Sequence, residues 1–381
     1  MNAVIRSPRP DACAQGRWRG ILEEIGPELE AEGRRCDAEN RFVSANLDRL
    51  EALGFFALGA PAEFGGGGAP YAEVCAMLRA LGRWDGATAL TLSMHTHQVF
   101  VADWRRRNGG APTEGLLKRV AQEGARLLSS GGSDWLPGSG RAEKVEGGYR
   151  ITARKVFSSG APAGDVMMTC AIAEGPDGPE VLHFPISMHE DGVTVLEGWD
   201  TLGMRGTASQ DVTIEGVFLP EAAVGARRPP GVWHPIFHMI SMVAFPLIYS
   251  VYAGIADGAR ATALELAGKR AADPAVQIAV GEMETAHTAM DVACQAMVEA
   301  GQGTPSPQTT GRIMTLRQLV GRGAIEVGSK ALDCAGGAGF YRAAGLEQRF
   351  RDLQAARFHP LQEKPQQLYA ARLALGLSLD G

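Results

Sequence analysis

The fold of this chain is decided by residues 166–219, VMMTCAIAEGPDGPEVLHFPISMHEDGVTVLEGWDTLGMRGTASQDVTIEGVFL. Within this stretch, β-branched and apolar residues form short runs that alternate with turn residues. The runs are residues 166–173, 181–186, 193–196 and 212–219. Just upstream, Gly147 and Gly148 form a pair that is typical of a hairpin turn. These features predict a small antiparallel β domain over residues 128–222.

On both sides of this domain, apolar residues recur with the spacing of helices. Before it, helices are predicted within residues 18–54, 71–83 and 114–124. After it, they are predicted over residues 233–270, 274–302, 307–335 and 346–358. The chain is therefore predicted to be mainly α with a small β domain. Its predicted parts are an N-terminal helical domain (17–127), the middle β domain (128–222), a Pro-Gly linker (227–231) and a C-terminal antiparallel helical bundle (232–381).

Composition and charge exclude several classes of function. Acidic residues exceed basic ones by 43 to 37, so no positive field attracts a nucleic acid. The six cysteines lie far apart without a CxxC pair, which argues against a zinc site or a disulfide framework and favours a reducing cytoplasm. We see no apolar run that approaches the roughly 20 residues of a membrane span. We therefore predict a cytoplasmic protein that binds no metal, membrane or nucleic acid.

Two local patterns in the helices carry further expectations. Gly254 and Gly258 are four residues apart, a spacing that lets two helices approach closely. His95 and His97 are two apart and point to different faces of a helix, so they form no chelating pair. We expect one of these histidines to be packed and the other solvated.

Four segments resemble the acyl-CoA dehydrogenase superfamily. They are SDWLPGS at residues 133–139, RKVFSSG at 154–160, TLGMRGTASQDVTIEGVFLP at 201–220 and DCAGGAGF at 333–340. The resemblance runs from about residue 42 to residue 376, with Trp135 replacing a proline of the family pattern. It implies the superfamily fold and a flavin cofactor, FAD or FMN.

The resemblance also implies roles for individual residues. Gly132, Ser133, Phe157 and Ser159 would hold the flavin ring, which needs an apolar wall and hydrogen-bond donors. Ser139 would contact the substrate. The Gly336–Gly337 turn would approach the ADP half of the FAD of a neighbouring subunit, which implies a dimer or tetramer. Lys269 or Arg270 could reach the pyrophosphate. Taken singly, these residues could instead be β-domain core, turn caps and a helix stop.

The chain departs from the family at the catalytic base. The usual glutamate lies eight residues after the Asp of an Arg-Asp pair, which here is Arg351–Asp352, and that position is Pro360. The alternative glutamate position falls near Ala244. In the flavin monooxygenase branch of the superfamily a histidine occupies the position of His359, which could act as acid or base near neutral pH. Alternatively, His359 only caps the end of the 346–358 helix, and Glu363 either swings inward as a base or begins a solvated helix.

Three functions remain open from the sequence. The first is a monooxygenase-like flavin-dependent oxidoreductase that uses reduced flavin and oxygen, with His359 as acid/base. The second is an acyl-CoA or acyl-carrier-protein dehydrogenase whose base has moved to His359 or Glu363. The third is a flavin-binding protein without turnover. The expected partners are a small-molecule or acyl-thioester substrate, other copies of the chain, and a flavin reductase or an electron-transfer flavoprotein.

Overall fold

The computed structural model describes residues 16–109 and 112–380, without the side chain of Ser133. Its N-terminal part is helical. The helices are α1 (Trp18–Ala38), α2 (Ser44–Ala52), α3 (Tyr71–Trp84), α4 (Gly86–Arg107) and α5 (Glu114–Lys118). The predicted helical segment 18–54 forms two helices, because the chain turns at Asn40, whose φ is 49°. α4 begins where the side chain of Asp85 accepts a hydrogen bond from the backbone N–H of Thr88 at 2.9 Å.

One mixed sheet follows the N-terminal helices. Its strands are β1 (Leu127–Ser129), β2 (Arg141–Val145), β3 (Gly148–Ser158), β4 (Val166–Gly175), β5 (Gly178–Ser187), β6 (Val193–Val195), β7 (Gln210–Pro220) and β8 (Ala226–Arg228). The order is β6-β7-β3-β2-β4-β5-β8, with β1 beside β4. Most pairs are antiparallel, as predicted, but β1–β4 and β2–β4 are parallel. The predicted linker at residues 227–231 is partly wrong, because β8 pairs with β5.

Five helices form the C-terminal part. They are α6 (Pro235–Gly268), α7 (Pro274–Ala300), α8 (Pro307–Ala335), α9 (Leu346–Leu353) and α10 (Glu363–Ala374). The helix predicted over residues 346–358 ends early, because the chain tightens into a 3₁₀ turn at Gln354–Arg357. The expectation that no apolar run approaches the length of a membrane span is wrong for α6. However, 94% of its most apolar 18-residue window is buried inside the protein, where it forms the centre of the bundle.

Glycines let α6 lie directly against α3. A Cβ atom on Gly254 would stand 2.0 Å from the carbonyl oxygen of Arg79, and one on Gly258 would stand 2.5 Å from the carbonyl oxygen of Arg83. Gly82 on α3 is equally close to the carbonyl oxygen of Val251. The close helix contact predicted from Gly254 and Gly258 is therefore present.

Replacing Gly254 with alanine should lower the free energy of unfolding by about 1–3 kcal/mol, because the backbone of α3 must move to admit the methyl group. Gly281 provides the control, since it lies on the exposed face of α7 with open space around it. Gly281→Ala should raise stability by about 0.5–1 kcal/mol through helix propensity. Urea unfolding of both variants measures the two effects, and equal effects would contradict the close contact.

Candidate active site

His359 lies just beyond the 3₁₀ turn that follows α9. Its Nε2 atom is 2.7 Å from the hydroxyl oxygen of Tyr252 on α6, and its ring packs edge-on against the rings of Tyr249 and Tyr252. Because α9 already ends at Leu353 and the ring binds to α6, His359 does not cap that helix. Its other ring nitrogen, Nδ1, has no hydrogen-bond partner within the part of the chain that the structure describes. That atom is therefore able to form a hydrogen bond with a ligand.

The surroundings of His359 keep its ring uncharged. Burial among neighbouring side chains, together with the positive charge of Arg317 and the proximity of His97, lowers the pKa of His359 to about 3. A neutral imidazole can donate a hydrogen bond from one nitrogen and accept one at the other. At physiological pH, His359 is therefore a hydrogen-bonding group rather than a strong base.

His95 and His97 on α4 are both buried, so the expectation that one of them is solvated is wrong. His95 Nε2 lies 2.8 Å from the carbonyl oxygen of Phe56, and its Nδ1 accepts the N–H of Leu127. His97 Nδ1 lies 3.0 Å from the carbonyl oxygen of Ser93. Burial lowers the pKa of each to about 4. His97 is also close enough to His359 to lower the pKa of that ring, so α4 lies at the edge of the site.

The buried histidines should make the protein less stable in acid. A histidine whose folded pKa is below its unfolded value of about 6.5 opposes folding as pH falls through that window. For His97 this amounts to about 1.5–2 kcal/mol between pH 7 and pH 5. Asp352 acts in the opposite direction, because burial raises its pKa to about 8, so the test must isolate one histidine.

His97→Gln should therefore show a loss of stability between pH 7 and pH 5 that is smaller than the wild-type loss by about 1.5–2 kcal/mol. Asp352 contributes equally to both proteins and cancels in this comparison. Urea unfolding at the two pH values measures the difference. Parallel pH dependences for the two proteins would show that His97 titrates normally.

No carboxylate occupies either position of the family base. Pro360 packs near Gly132, where a Cβ atom would stand 3.0 Å from Pro360 Cδ, and Ala244 is buried in α6. Glu363 begins α10, where its carboxylate accepts hydrogen bonds from Gln318 and Arg322, and the latter lowers its pKa. Glu363 is thus held at the helix start and does not turn inward.

Phe157 and Ser159 lie where β3 ends. Phe157 is 55% exposed, so it is not part of the β-domain core, and its φ of 55° is unusual for a bulky residue. Its ring meets Trp199 edge-on at 5.7 Å. The hydroxyl of Ser159 is 2.7 Å from that of Ser209. An open aromatic face beside paired hydroxyls suits a flavin ring, which needs both.

The turn at Gly132–Asp134 lies beside the same strand. The Gly131 N–H donates to the carbonyl oxygen of Val156, and a Cβ atom on Gly131 would clash with Phe157. The side chain of Ser133 lies outside the described residues, so its predicted flavin contact stays a prediction. Trp135 follows the turn, and its indole N–H is buried without a partner among the described residues. A bound ligand that accepts this hydrogen bond would explain that unpaired donor.

Ser139 takes part in a buried ion pair. Lys155 Nζ lies 2.9 Å from Asp134 Oδ2, 2.9 Å from the carbonyl oxygen of Ser139 and 3.0 Å from its Oγ, which itself donates to Asp134. Lys155 and Asp134 are both buried. This network ties the 131–139 loop to β3 two residues before Phe157. The hydroxyl of Ser139 therefore faces the ion pair, and its substrate contact stays a prediction.

Arg270 and the glycine turn lie together at the end of α8. Gly336 has a φ of 59°, and a Cβ atom on it would stand 3.1 Å from Arg270 Nη2. The same Arg270 nitrogen donates a hydrogen bond to the carbonyl oxygen of Cys334 at 2.9 Å. Gly337 has open space around it. Nearby, Phe340 and Tyr341 are 90% and 73% exposed. The predicted pyrophosphate contacts are thus adjacent to one another at the surface of the chain.

Comparison with known proteins decides the family. The acyl-CoA dehydrogenase N-terminal domain matches residues 23–124, and the acyl-CoA dehydrogenase C-terminal domain matches residues 247–363. The chain belongs to the acyl-CoA dehydrogenase superfamily. Both the predicted family and the predicted fold class are thereby confirmed.

Individual relatives of this superfamily member match it along nearly its whole length. Amino sugar nitrososynthase DnmZ of Streptomyces peucetius is 27% identical, over 96% of this chain and 95% of its own. Putative acyl-CoA dehydrogenase YdbM of Bacillus subtilis is 25% identical, over 91% and 93%. KijD3, solved with FMN and dTDP-3-amino-2,3,6-trideoxy-4-keto-3-methyl-D-glucose, has a TM-score of 0.86 at 24% identity, over 99% and 98%, and shares the fold.

These comparisons confirm that this acyl-CoA dehydrogenase superfamily member is a flavin-dependent oxidoreductase, and they fit its monooxygenase-like branch. FAD and FMN are both cofactors within this group. The site also contains residues that the sequence analysis missed. Tyr252, Arg317 and His97 come from three helices, and none of them carries a motif. Only the fold brings them to His359.

Proposed function

We propose that this protein is a flavin-dependent monooxygenase that hydroxylates the primary amino group of a polar small molecule, such as an amino sugar. One observation carries the proposal. At the position of the desaturase carboxylate there is Pro360, and beside it His359 is held uncharged against Tyr252. An imidazole with so low a pKa is too weak a base to remove a proton from the α-carbon of a thioester.

The residues of the site have separate tasks. Phe157 provides the apolar wall for the flavin ring, and the hydroxyls of Ser159 and Ser209 lie at its edge. Tyr252, whose pKa is raised by burial, stays protonated and fixes the ring of His359. The free Nδ1 of His359 accepts a hydrogen bond from the substrate amine and orients its lone pair. An amine needs no carboxylate base for this task, because its nitrogen is already nucleophilic when neutral.

When bound, the reduced flavin supplies two electrons that activate O₂, so that one oxygen atom enters the amine and the other leaves as water. The overall reaction converts a primary amine, O₂ and reduced flavin into a hydroxylamine, water and oxidised flavin. The proton that leaves the substrate nitrogen appears in the water. Residues around His359 exclude solvent from this step, since Tyr249 and Tyr252 are fully buried.

The substrate class is supported by relatives rather than by the site alone. DnmZ is named an amino sugar nitrososynthase, and KijD3 was solved with a nucleotide-linked 3-amino sugar. A hydroxylamine is the first product on the way from an amine to a nitroso compound. We therefore assign an amine to this chain and place its amino group at His359 Nδ1.

Two partners follow from this function. Reduced flavin must be regenerated after every turnover, which calls for a flavin reductase. A second copy of the chain is expected at the Gly336–Gly337 turn, because Arg270 there carries no acidic partner within the described residues and the large apolar side chains beside it are exposed. That surface suits the phosphates of a flavin held by the neighbouring subunit.

The decisive experiment compares two reactions of the purified protein. First, protein loaded with photoreduced FMN or FAD is mixed with oxygen and a panel of nucleoside diphosphate amino sugars and simpler primary amines. A product heavier by one oxygen atom, identified as a hydroxylamine, supports the proposal. Second, protein with oxidised flavin is mixed anaerobically with a panel of acyl-CoAs. Flavin bleaching with formation of a 2-enoyl thioester would establish the dehydrogenase and overturn the monooxygenase.

A further inference from the structure

A fully buried arginine lies behind the proposed catalytic histidine. Arg317 is in the middle of α8 and is 1% exposed. Its Nε donates to the hydroxyl of Tyr249 at 2.7 Å, and its Nη2 donates to the carbonyl oxygen of His359 at 3.0 Å. Further hydrogen bonds reach the carbonyl oxygens of Leu361 and Ala356. All of its main-chain acceptors therefore belong to residues 356–361, the segment that carries His359.

The charge of Arg317 is not neutralised by an acid. It forms no ion pair with a carboxylate among the described residues, whereas buried arginines are usually paired. The guanidinium instead lies 5.0 Å from the centre of the Tyr249 ring and 5.8 Å from that of Phe245, distances at which aromatic faces attract a cation. Packing alone would be served equally well by an apolar side chain at this position. Packing therefore does not explain why an arginine without an acidic partner among the described residues lies here. Its position beside His359 indicates a role in the active site.

We propose that Arg317 is the positioning residue of His359, because its planar fork holds the main chain on both sides of the ring and directs Nε2 toward Tyr252. This inference rests on the function proposed above. Arg317 also acts on His359 through its charge. The groups facing the ring are Tyr249 and Tyr252 from α6, His97 from α4 and Arg317 from α8, and Arg317 is the one permanent charge among them. Its field opposes protonation of the ring.

The first readout does not depend on turnover. In protein with ¹³C-labelled histidine rings, the signal of His359 is identified by its loss in His359→Gln. In the wild type, this signal should not titrate between pH 5 and pH 8. In Arg317→Met, which keeps the bulk and removes the charge, we expect the midpoint of the His359 titration to move to higher pH, while burial still holds it below the value of a free histidine. A titration midpoint no higher than that of the wild type, measured down to the lowest pH at which both proteins stay folded, would overturn the electrostatic role.

The second readout is turnover of the amine that the wild type oxidises. Arg317→Lys keeps the charge but loses the fork, so His359 should stay uncharged while turnover falls about tenfold or more. Arg322→Met is the matched control, since Arg322 is on the same helix but exposed and paired with Glu363, and it should leave turnover unchanged. Full turnover in Arg317→Lys would overturn the positioning role. This test is valid even if Arg317→Met does not fold.

The two proposals fail in different ways. If the wild type oxidises no amine, the proposed function falls, while the titration of His359 still reports on Arg317. If the wild type is active and both Arg317 variants match it in titration and turnover, only the inference about Arg317 falls.

Discussion

Replacing His359 with alanine is expected to lower turnover about a hundredfold or more, the scale on which rates fall when a group that orients the reacting atom is lost. The physical reason is the loss of both its hydrogen bonds. Without the imidazole, Tyr252 loses its partner at 2.7 Å, and nothing accepts the substrate N–H where Nδ1 stood. Flavin content should be normal, because Phe157, Ser159 and the Gly132 turn lie on other elements.

The measurement is single-turnover amine oxidation by protein with reduced flavin, which separates chemistry from flavin delivery. His359→Gln should recover part of the activity, since its amide can still bond Tyr252. His189→Ala is the control, because His189 is exposed and its ring contacts Asp165 rather than any residue of the site. Normal single-turnover rates in His359→Ala with normal flavin content would reduce His359 to a packing residue.

Lys155→Met should cost about 3–5 kcal/mol of stability, because it leaves the carboxylate of Asp134 buried without its cation. The side chain of Lys155 is completely inaccessible, so water cannot replace its ammonium group. Loss of this ion pair should also weaken flavin binding. Asp134 ends the turn that contains Gly132 and Ser133, and that turn would move away from β3 when the ion pair is lost.

Urea unfolding and flavin content measure the two effects. Lys144→Met is the matched control, since Lys144 is exposed in its pair with Glu221 and should cost at most about 1 kcal/mol. The double variant Lys155→Met/Asp134→Leu should recover most of the stability, because no unpaired charge remains. A single variant as stable as Lys144→Met would show that the ion pair contributes little.

The sequence was sufficient where periodicity is local. The span of α8 was predicted residue for residue, because its apolar stripe runs without interruption between Ser306, which caps it, and Gly336, which ends it. The strand runs were predicted for the same reason. The chain after β7 was misjudged, because pairing of β8 with β5 depends on an edge about 45 residues away that composition does not reveal.

The site was predictable only in part. His359, Phe157 and Arg270 could be located by their place in family motifs. Tyr252 and Arg317 could not, because they are an ordinary tyrosine and an ordinary arginine on long helices, separated from His359 by 107 and 42 residues in the chain. His97 was set aside because two-residue spacing excludes a chelating pair. That reason was sound for metals but did not address the influence of His97 on the pKa of His359.

The long apolar helix α6 also constrains how this protein is made. During synthesis, α3 and α4 have already left the ribosome when α6 appears, so they can cover one side of it at once. The other side is covered by α8, which is completed 67 residues after α6 ends. For several seconds, one face of a helix that is apolar enough to enter a bilayer is exposed to solvent. We therefore expect the nascent chain to bind chaperones until Ala335 has emerged.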